Sequence, residues 1–501
     1  MELKTHTLKE YINLLEENEQ IEDAHFQSFD LEKEVLDLSY NSKEIKKDGI
    51  FVCKGAHFSQ VYLEEAIERG AICFISEVDY DIQKTDFPRI IVSDIRRTMA
   101  LLGNYYYGET WKALKLIGIT GTKGKSTTTY YVKYILDHYL NTLGERKSAI
   151  VSGIDVDDGV IFEESHLTTP EALMLHRHFW NAVSSGIEFL EMEVSSQALK
   201  YDRTYGITFD VGCFLNIAED HISPIEHCDF DDYFDSKLKL MRQCKIACVN
   251  INASHSEEIC NAAFQSSKLI TFGTDEHADI YGHRIVKQED YIEFLVRTPE
   301  FTQEFRLTMP GLFNVENALA AIAICYALRI PKESMYEGLL NAKVSGRMET
   351  YWGDKSNTLV IVDYAHNRLS FERLFTSTIK EYPERKIFAV YGCPGNKALA
   401  RRRELTEIAG RYAEKLFITE EDAGEESVKD ICEEIAKYAR KEECSYEIIE
   451  DRGKAIKRAI EEADEKTVIL LTGKGRETRQ KRGTQYINCP SDVDYVHKYL
   501  K

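Results

Sequence analysis

The stretch GITGTKGKSTTT, residues 118–129, constrains this chain more than any other. The apolar KLIGIT before the turn predicts a strand, and STTTYYVKYILDHYL after it predicts a helix. A glycine-rich turn in this position presents backbone N–H groups and a helix N-terminus to an anion. Gly121 and Gly124 let the backbone approach a phosphate closely. Lys125 can reach the β- and γ-phosphates, and the Ser126 hydroxyl can bind Mg²⁺. This order favours a nucleotide-binding loop over an ordinary Gly-Lys turn.

The composition excludes several classes of protein. A length of 501 residues predicts roughly two to four domains. The formal net charge of -21 disfavours nucleic acid as a partner, because nucleic-acid-binding proteins normally carry a basic face. No apolar run approaches the roughly 20 residues of a membrane span, and the polar N-terminus lacks the apolar segment of a signal peptide. Twelve scattered cysteines are typical of reduced thiols. We therefore expect a cytoplasmic enzyme.

Strand-like and helical segments alternate through three sections of the chain. Residues 1–110 contain GIFVCKG, AICFIS and RIIVSD as strands and YLEEAIERGA as a helix. Residues 111–344 open with the glycine-rich loop and contain EFLEMEV, KIACVN and a helical NVENALAAIAICYALRI. Residues 345–501 contain TLVIVDYA, KIFAVYG, EKLFITE and TVILLTG. Such alternation implies parallel sheets with crossover helices, so we expect an α/β protein of three domains with these boundaries.

Further motifs follow one another in an order that a known family shares. They are HLTTPEAL, EMEVSSQAL, FLNIAEDHI, PGLFNVENALAA, SGRMET, VIVDYAHN and LLTGKGRE. Together with the loop, in which Ile119 stands where the strict P-loop pattern has glycine, this set resembles the Mur ligase family. NSKEIKKDGIFVCKGAHFSQVYLEEAIERGA resembles the uridine-nucleotide-binding domain of MurE-type members. The resemblance implies a uridine-nucleotide-binding N-terminal domain, a central P-loop ATPase-type domain and a Rossmann-like C-terminal domain that binds the incoming amino acid.

The resemblance implies an ATP-dependent amide ligase of peptidoglycan precursor synthesis, with ATP and Mg²⁺ as cofactors. In this family ATP phosphorylates a substrate carboxylate, an amine attacks the acyl phosphate, and a tetrahedral intermediate releases phosphate. The acyl substrate implied is UDP-N-acetylmuramoyl-L-alanyl-D-glutamate, which gains an amino acid as its third residue. We also expect a monomer with small-molecule substrates and neither nucleic acid nor a membrane span.

The resemblance assigns ATP-binding residues to the second and third sections. The phosphate loop supplies Gly121, Thr122, Lys123, Gly124, Lys125, Ser126 and Thr127. Asn314 and Asn317 lie on one helical face, and the family uses their motif near the adenine. Arg347, Asp363 and His366 come from the third section, with Asp363 directed to the ribose. A strand-end cap is the simpler alternative for Asp363. This assignment predicts that the third domain closes over ATP and excludes water from the acyl phosphate.

Three further residues are candidates for catalysis with Lys125 and for Mg²⁺ binding with Ser126. Glu193 ends an apolar strand and offers a hard carboxylate oxygen. His221 matches the family's metal-side histidine. Lys237 matches a lysine that the family carbamylates with CO₂, which turns a cation into an anion able to bind a second Mg²⁺. Without the family motifs, the simpler alternatives are a solvated strand end, a satisfied loop histidine and an exposed helix lysine.

The resemblance assigns the acyl substrate to several polar residues. Ser42 matches a serine near the uracil end. The positions that hold the muramoyl peptide and its phosphates correspond to Thr168, Thr169, Ser195 and Arg203. Tandem threonines are also common in turns, which is the simpler alternative for two of these. Lys474 and Glu477 in GKGRE keep the family pattern and are assigned to substrate as well.

One stretch departs from the family pattern. MurE-type enzymes that add meso-diaminopimelate carry DNPR, whose arginine binds a carboxylate through two hydrogen bonds. Here EDAG replaces it, with Gly424 in the arginine's place. The surrounding acids are Glu420, Glu421, Asp422, Glu425 and Glu426. An acidic pocket suits a lysine side chain, so L-lysine is the first hypothesis. Ornithine, another amine or a solvated acidic loop are the alternatives, and the match to a nearby family arginine stays open among residues 401–403.

Several other functions are alternatives to this one. A divergent Mur-family ligase would act on another γ-glutamyl or peptide substrate outside the cell wall. Folate polyglutamylating enzymes begin directly at the ATP domain, without the uridine-type domain. A non-ligase partner subunit of an amidotransferase, like MurT, carries a cysteine-rich zinc insertion that the sequence does not show. A P-loop motor is disfavoured because no helicase motif set or arginine finger is recognisable.

Overall fold

The computed structural model describes residues 3–27, 29–55, 58–82, 86–220, 222–223, 226–353 and 357–500. The chain divides into two compact units, Met1–Phe272 with Ala320–Met335 and Gly273–Leu319 with Tyr336–Lys501. Helices and parallel strands alternate in both, which confirms the predicted α/β class. The three-domain division at residues 110 and 344 stays a prediction. Among the described residues, no helix has both the length and the apolar character to cross a membrane.

The first unit begins with a small α/β layer. Its elements are β1 His6–Thr7, α1 Leu8–Glu17, β2 Ile21–His25, β3 Glu34–Val35, β4 Asp37–Ser39, β5 Gly49–Val52, α2 Gln60–Glu68, β6 Ala71–Ser76, β7 Arg89–Val92 and α3 Ile95–Tyr106. The sheet order is β2-β7-β6-β5-β4, with β4 to β7 parallel and β2 antiparallel. Every residue of β6 is buried, as expected for a parallel strand covered on both faces.

A larger parallel sheet follows in the same unit. Its elements are β8 Lys115–Thr120, α4 Lys125–Leu143, β9 Ala149–Val151, β10 Asp155–Asp157, β11 Phe162–Glu164, α5 Ala172–Ser184, β12 Phe189–Glu193, α6 Ser196–Lys200, β13 Phe209–Phe214, α7 Phe230–Arg242, β14 Cys244–Asn250, α8 Ser256–Ala262 and β15 Lys268–Gly273. The strand order is β11-β10-β9-β12-β8-β13-β14-β15. β8 therefore lies inside the sheet, and its carboxyl end opens between β12 and β13, where α/β sheets form their binding crevices.

The small layer is joined to the larger sheet through α3 and α5. Met99 of α3 and Leu173 of α5 lie in one apolar core. Arg97 adds two hydrogen bonds to Asp202, from Nε at 3.2 Å and from Nη2 at 3.0 Å. The same core and ion pair fix the N-terminal layer against the part of the chain that carries the glycine-rich loop.

The second unit contains an antiparallel meander and a second parallel sheet. The elements from residue 280 onward are β16 Ile280–Lys287, β17 Ile292–Arg297, β18 Thr302–Leu307, α9 Asn314–Ala327, α10 Lys332–Asn341, β19 Glu349–Trp352, β20 Leu359–Asp363, α11 Arg368–Glu381, β21 Lys386–Tyr391, α12 Ala400–Tyr412, β22 Lys415–Ile418, α13 Val428–Lys441, β23 Ser445–Ile448, α14 Arg452–Glu462, β24 Thr467–Thr472, β25 Arg479–Arg482, β26 Gln485–Asn488 and α15 Asp492–Tyr499. α9 and α10 contribute residues to both units. The sheet order is β19-β20-β24-β21-β22-β23, and β20 to β24 are parallel. Their carboxyl ends therefore gather several loops at one edge.

A residue of α11 holds the turn that precedes α9. The Glu381 carboxylate accepts the backbone N–H of Gly311 at 3.0 Å and that of Leu312 at 2.8 Å. It also accepts the Ser377 hydroxyl at 2.5 Å and is 8% exposed. Buried backbone donors need partners, so this carboxylate determines how the chain enters α9.

Candidate active site

The turn between β8 and α4 requires glycine at two positions. Gly121 has a φ of 151° and Gly124 a φ of 88°, a region that L side chains rarely adopt. A Cβ on Gly121 would also lie 2.9 Å from the Cβ of Leu215, which is closer than side chains approach. α4 begins at Lys125, directly after the turn, so backbone N–H groups and the helix N-terminus converge there. The predicted order of strand, turn and helix is confirmed.

The segment that follows β13 fixes the turn from one side. The Lys123 N–H donates to Asn216 Oδ1 at 2.9 Å, and Lys123 Nζ lies 3.3 Å from the Asp220 carboxylate. Thr122 Oγ1 lies 3.0 Å from the hydroxyl of Tyr233 on α7. The loop conformation is therefore held by the neighbouring strand and helix as well as by its own glycines.

Lys125 and Lys237 converge on one carbonyl oxygen. Lys125 Nζ donates to the Gly121 carbonyl at 2.9 Å, and Lys237 Nζ, from α7, donates to the same oxygen at 3.0 Å. Lys237 is 2% exposed, so the alternative of an exposed helix lysine is wrong. Burial, reinforced by the charge of Lys125, lowers the pKa of the Lys237 ammonium well below its usual value. This site therefore favours a neutral amine at Lys237.

Glu193 lies at the end of β12, in register with Ile119 of β8. It is 1% exposed and its Oε1 accepts the Gly153 N–H at 2.7 Å, so it is not a solvated strand end. Within the described ranges, no cluster of three or more His, Cys, Asp or Glu side chains could hold a metal. Mg²⁺ usually binds through one or two carboxylates together with substrate phosphates and water. Glu193 and the Ser126 hydroxyl fit that pattern. His221 lies outside the described residues.

Four of the predicted substrate residues lie beside the end of β12. Thr169 Oγ1 donates to the Glu193 carbonyl at 2.9 Å and accepts the Ser195 N–H at 3.0 Å. Arg203 Nη1 donates to the Thr169 carbonyl at 2.8 Å, and Thr168 is half-buried next to Thr169. The structure therefore brings these residues together, with Thr169 fixed by its neighbours.

Ser42 lies in the N-terminal layer between β4 and β5. Its side chain is buried and its hydroxyl donates to Glu65 of α2 at 2.7 Å. Tyr40, two residues earlier, has its ring centroid 5.3 Å from Lys54 Nζ. The segment predicted for the uracil end is thus packed between α2 and the chain that follows β5.

The ATP-binding residues predicted from the third section cluster after β20. Asp363 accepts the Met348 N–H at 2.9 Å and the Ala365 N–H at 2.8 Å through its two oxygens. The guanidinium carbon of Arg347 lies 4.9 Å from the ring centroid of Tyr364. Nδ1 of His366 lies 2.7 Å from the Tyr364 carbonyl. The structure therefore gathers these predicted residues at one edge of the sheet, and their roles toward ATP stay predictions.

Asn314 and Asn317 lie at the start of α9 and are both buried. Asn317 Nδ2 donates to Asn314 Oδ1 at 2.9 Å, and Asn314 Nδ2 donates to the Pro310 carbonyl at 2.6 Å. These bonds confirm that the two amides share a helical face. Their contact with adenine stays a prediction.

Lys474 is the centre of a polar network at the end of β24. Its Nζ donates to Glu477 at 2.6 Å, to the Arg479 carbonyl at 2.7 Å and to Asp422 at 3.1 Å. The second oxygen of Glu477 accepts the Tyr364 hydroxyl at 2.6 Å. Burial opposes the charge of Lys474, but Glu477 and Asp422 together raise the pKa of its ammonium. Lys474 is therefore a fixed cation that links the ends of three strands.

Two of the acids after β22 are paired with arginines. Arg482 donates to both oxygens of Glu420, at 3.0 Å and 2.7 Å. Arg402, which is 3% exposed, donates to both oxygens of Glu426 and to Glu434. Of the three arginines at 401–403, Arg402 therefore links α12 to α13. These pairs neutralise two of the five acids of the predicted acidic pocket.

Glu421 differs from its neighbours. It is half-buried, and no side chain or N–H of the described chain donates a hydrogen bond to its carboxyl. Burial raises the pKa of this carboxyl to about 7, and Asp422 acts in the same direction. The cations Arg452, Arg401 and Lys474 oppose the shift. Glu421 is therefore the acid of this segment that an incoming cation would ionise.

Sequence reasoning missed Arg452, the first residue of α14. It is 5% exposed and donates Nε and Nη2 to Asp492, each at 2.6 Å, and Nη2 to the Thr472 carbonyl at 2.7 Å. With Glu420 and Lys474 it lines a cavity of about 110 Å³. Arg452 and its partners are distant in sequence and are brought together only at the edge of the sheet. No spacing pattern in the sequence predicts these contacts.

Comparison with known proteins gives a consistent result. The sequence matches the Mur ligase middle domain over residues 119–325 and the Mur ligase, glutamate ligase domain over residues 346–475. It is 38% identical over 459 residues to a UDP-N-acetylmuramoyl-L-alanyl-D-glutamate--L-lysine ligase of Enterococcus faecalis, covering 90% of this chain and 88% of that relative. A protein of the same name from Streptococcus thermophilus is 34% identical over 469 residues, 92% of each chain.

A solved structure extends the likeness to the fold. A UDP-N-acetylmuramoyl-L-alanyl-D-glutamate--2,6-diaminopimelate ligase superposes with a TM-score of 0.66, covering 99% of both chains at 21% identity. At this identity the likeness shows a shared fold and nothing about the amine.

Proposed function

This chain belongs to the Mur ligase family, and on that premise we propose that it adds L-lysine to UDP-N-acetylmuramoyl-L-alanyl-D-glutamate with conversion of ATP to ADP and phosphate. The activity would serve peptidoglycan precursor synthesis in the cytoplasm, with the chain acting as a monomer. The observation that carries the proposal is the likeness, along at least 90% of this chain, to two relatives that are named as ligases of this activity. The phosphate-loop geometry supports the use of ATP.

Two group-transfer steps make up the reaction. A carboxylate oxygen of the D-glutamate attacks the γ-phosphorus of ATP, the bond to the β–γ bridging oxygen breaks, and ADP leaves. The amine nitrogen then attacks the carbon of the acyl phosphate, loses a proton, and displaces phosphate as the C–O bond breaks. Lys125 and the N-terminus of α4 support the first step, because fixed positive charge stabilises the transferring phosphoryl group.

Ser126 and Glu193 are the residues that we assign to Mg²⁺, with His221 and Lys237 as further predicted ligands. When bound, Mg²⁺ neutralises phosphate charge and acts as a Lewis acid. Both described oxygen donors are held in place: Glu193 by the Gly153 N–H and Ser126 by its position in the first turn of α4. Such fixed donors suit an ion that demands regular geometry.

We assign Lys237 as a carbamylated lysine. Its amine nitrogen would attack the carbon of CO₂, form the N–C bond and lose one proton, which leaves an anionic carbamate. The burial of Lys237 beside Lys125 supports this assignment, since a neutral amine is the form that attacks CO₂ and the resulting carbamate would attract the Lys125 cation. The modification would thus convert a neutral amine beside a cation into the anionic partner of an ion pair.

The remaining binding roles keep the family assignment. The adenine, ribose and phosphates would be contacted by Thr122, Lys123, Thr127, Asn314, Asn317, Arg347, Asp363 and His366. The muramoyl substrate would be held by Ser42, Thr168, Thr169, Ser195 and Arg203, with Lys474 and Glu477 near the incoming amino acid. Hydrogen bonds within each unit fix several of these side chains, which supports binding roles that need little reorganisation of those side chains.

Glu421 is the group that we assign to the side-chain ammonium of lysine. Its carboxyl has no hydrogen-bond donor in the described part of the chain, and its pKa lies near neutrality. An ammonium beside it would stabilise the ionised form. The neighbouring Glu420 and Glu426 already have arginine partners, so they offer less to a cation.

The test is phosphate release by the purified protein with ATP, Mg²⁺ and UDP-N-acetylmuramoyl-L-alanyl-D-glutamate. L-lysine, L-ornithine and meso-diaminopimelate are added one at a time, and the product mass is recorded. We expect turnover with L-lysine and a product heavier by one lysyl residue. Turnover only with diaminopimelate would contradict the amine assignment, and no turnover with any amine would contradict the acyl substrate.

A further inference from the structure

Two cations contact one carboxylate, and a third cation lies nearby, where the N-terminal layer meets the larger sheet. Glu171, at the start of α5, has Oε2 2.8 Å from Lys54 Nζ and Oε1 2.7 Å from Arg203 Nη2. Arg96 of α3 lies close enough to oppose the charge of Lys54, and its guanidinium carbon lies 3.4 Å from the ring centroid of Tyr201. One negative charge among three positive charges leaves this cluster electropositive.

Arg203 retains a buried donor that lacks an acceptor. Its Nη1 donates to the Thr169 carbonyl and its Nη2 to Glu171, but its Nε has no partner among the described residues. Arg203 is 9% exposed. A buried unpaired donor is destabilising, so an additional acceptor at this point would be favourable.

The cluster lies between the two segments assigned to the ends of the acyl substrate. Lys54 stacks on Tyr40, two residues before Ser42, which is assigned to the uracil end. Arg203 binds the carbonyl of Thr169, which is assigned to the muramoyl peptide. In a UDP-linked muramoyl peptide the diphosphate stands between uridine and the sugar. The order of groups in the substrate therefore matches the order of residues along this joint.

We propose that Lys54 is a further substrate-binding residue, which binds the diphosphate of the UDP-linked substrate together with Arg203. Glu171 is the positioning residue, because its two oxygens hold one cation each. Each phosphate of the diphosphate carries one negative charge, so the two phosphates would balance the excess positive charge of the cluster. Lys54 belongs to the N-terminal layer and Arg203 to the larger sheet, so the substrate would bridge both. This inference rests on the proposed function.

The test compares Lys54→Met with the wild-type enzyme and with Lys9→Met. Lys9 also forms an ion pair in the N-terminal layer, with Glu32 at 3.0 Å, but both side chains are exposed. For Lys54→Met we expect the KM for the UDP-linked substrate to rise at least about tenfold, with the KM for ATP unchanged and kcat altered much less. Lys9→Met should match the wild type, and Lys54→Arg should recover most of the lost affinity. Equal KM values for Lys54→Met and wild type would overturn the proposal.

Direct binding separates the two anions that the substrate offers. UDP-N-acetylglucosamine carries the diphosphate without the peptide, whereas L-alanyl-D-glutamate carries the carboxylates alone. Weaker binding of UDP-N-acetylglucosamine to Lys54→Met supports the diphosphate. If that ligand binds both proteins equally and only the complete substrate is weakened, Lys54 contacts a carboxylate and the diphosphate assignment is overturned.

Two controls distinguish a failure of this inference from a failure of the proposed function on which it rests. Binding of the complete substrate to the wild type tests the proposed function, and its absence would remove both proposals. Thermal unfolding of Lys54→Met and of Glu171→Gln tests whether the fold survives. For Glu171→Gln we expect an unfolding curve close to that of the wild type and a higher KM for the UDP-linked substrate. An unchanged KM in that variant would remove Glu171 as the positioning residue.

Discussion

The turn between β8 and α4 and the acidic segment Glu420–Glu426 are built by different means. In the turn, two glycines with positive φ and a helix N-terminus place backbone N–H groups at one point. In the acidic segment, the arrangement depends on which arginine or lysine reaches which carboxylate. Backbone geometry is specified by residues adjacent in sequence, whereas charge pairing is specified by the whole fold. The arrangement of the turn can thus be predicted from local sequence, whereas the pairing of each acid cannot.

The largest expected loss of activity comes from a substitution in the turn between β8 and α4. Lys125→Ala removes the cation that we assign to the ATP phosphates, so ATP-dependent phosphate release should fall roughly 10²–10³-fold. The backbone cradle depends on the glycines, so the thermal unfolding temperature should change little. Lys147→Ala, an exposed lysine that follows the same helix, is the matched control. Near-normal ligation by Lys125→Ala would show that the turn does not act on ATP.

The second prediction tests whether enzyme activity depends on a modified side chain beside the turn. Lys237→Ala should lower activity roughly 10²-fold, because it removes the assigned carbamate. Short carboxylates such as acetate should restore part of the activity by supplying an anion in the vacated space. Lys239→Ala is the control, since that lysine lies on the same helix and binds Asp202 instead. A fully active Lys237→Ala enzyme would remove the residue from the site.

Substitution of Glu421 should have a smaller effect, on the KM for lysine, and this effect should depend on pH. The pKa of its carboxyl is raised to about 7, so the fraction ionised increases as pH rises from 6 to 8. Lysine, as a cation, should bind better to the ionised form, and its KM should fall over that range. Glu421→Gln should raise the KM about tenfold at pH 8, equivalent to ~1.4 kcal/mol, and flatten the pH dependence.

The matched control for that experiment is Glu425→Gln, which changes an exposed acid in the same segment. Its lysine KM should keep both the value and the pH dependence of the wild type. Parallel pH profiles for Glu421→Gln and wild type would show that Glu421 does not face the amine. The lysine preference would then need another structural basis.

The smallest expected effect on lysine kinetics comes from breaking the ion pair of Glu420. Arg482→Met removes the hydrogen-bonded partner of Glu420. The Arg482 side chain is 56% exposed, so solvent weakens the pair, but the Glu420 side chain is 7% exposed and loses its partner. We expect lysine kinetics within about threefold of the wild type and a slightly lower unfolding temperature. A large change in lysine KM would mean that the paired acids also set specificity, which would remove the contrast between Glu420 and Glu421.

The elements of both units could largely be predicted from the sequence. β8, β12, β20 and β24 are short apolar runs between turn residues, and α4 and α9 carry helical periodicity. The place of Lys125, Ser126 and Glu193 followed from motifs that span a strand end and the residues next to it. These predictions depended on neighbours in sequence, and the structure agrees with them.

The contacts that complete the site could not be predicted in this way. Arg482 and Glu420 are 62 residues apart, and Arg203 and Thr169 are 34 residues apart. The contact of Asn216 with Lys123 of the phosphate loop joins residues that are 93 positions apart, and the contact of Tyr233 with Thr122 joins residues that are 111 positions apart. Such pairs arise because parallel strands bring their carboxyl ends together, and the sequence carries no local pattern for them.

The anchoring of α9 by Glu381 also has a consequence for the order of events on the ribosome. Glu381 is translated 70 residues after Gly311, whose N–H it accepts. At about 5–20 residues per second, roughly 4–14 s pass between the two. During this interval the amides of Gly311 and Leu312 bind water instead of the carboxylate. The entry to α9 is thus completed late in synthesis. A nascent chain that stops before residue 381 contains every residue of the first unit but lacks the carboxylate that holds the start of α9 in the second unit.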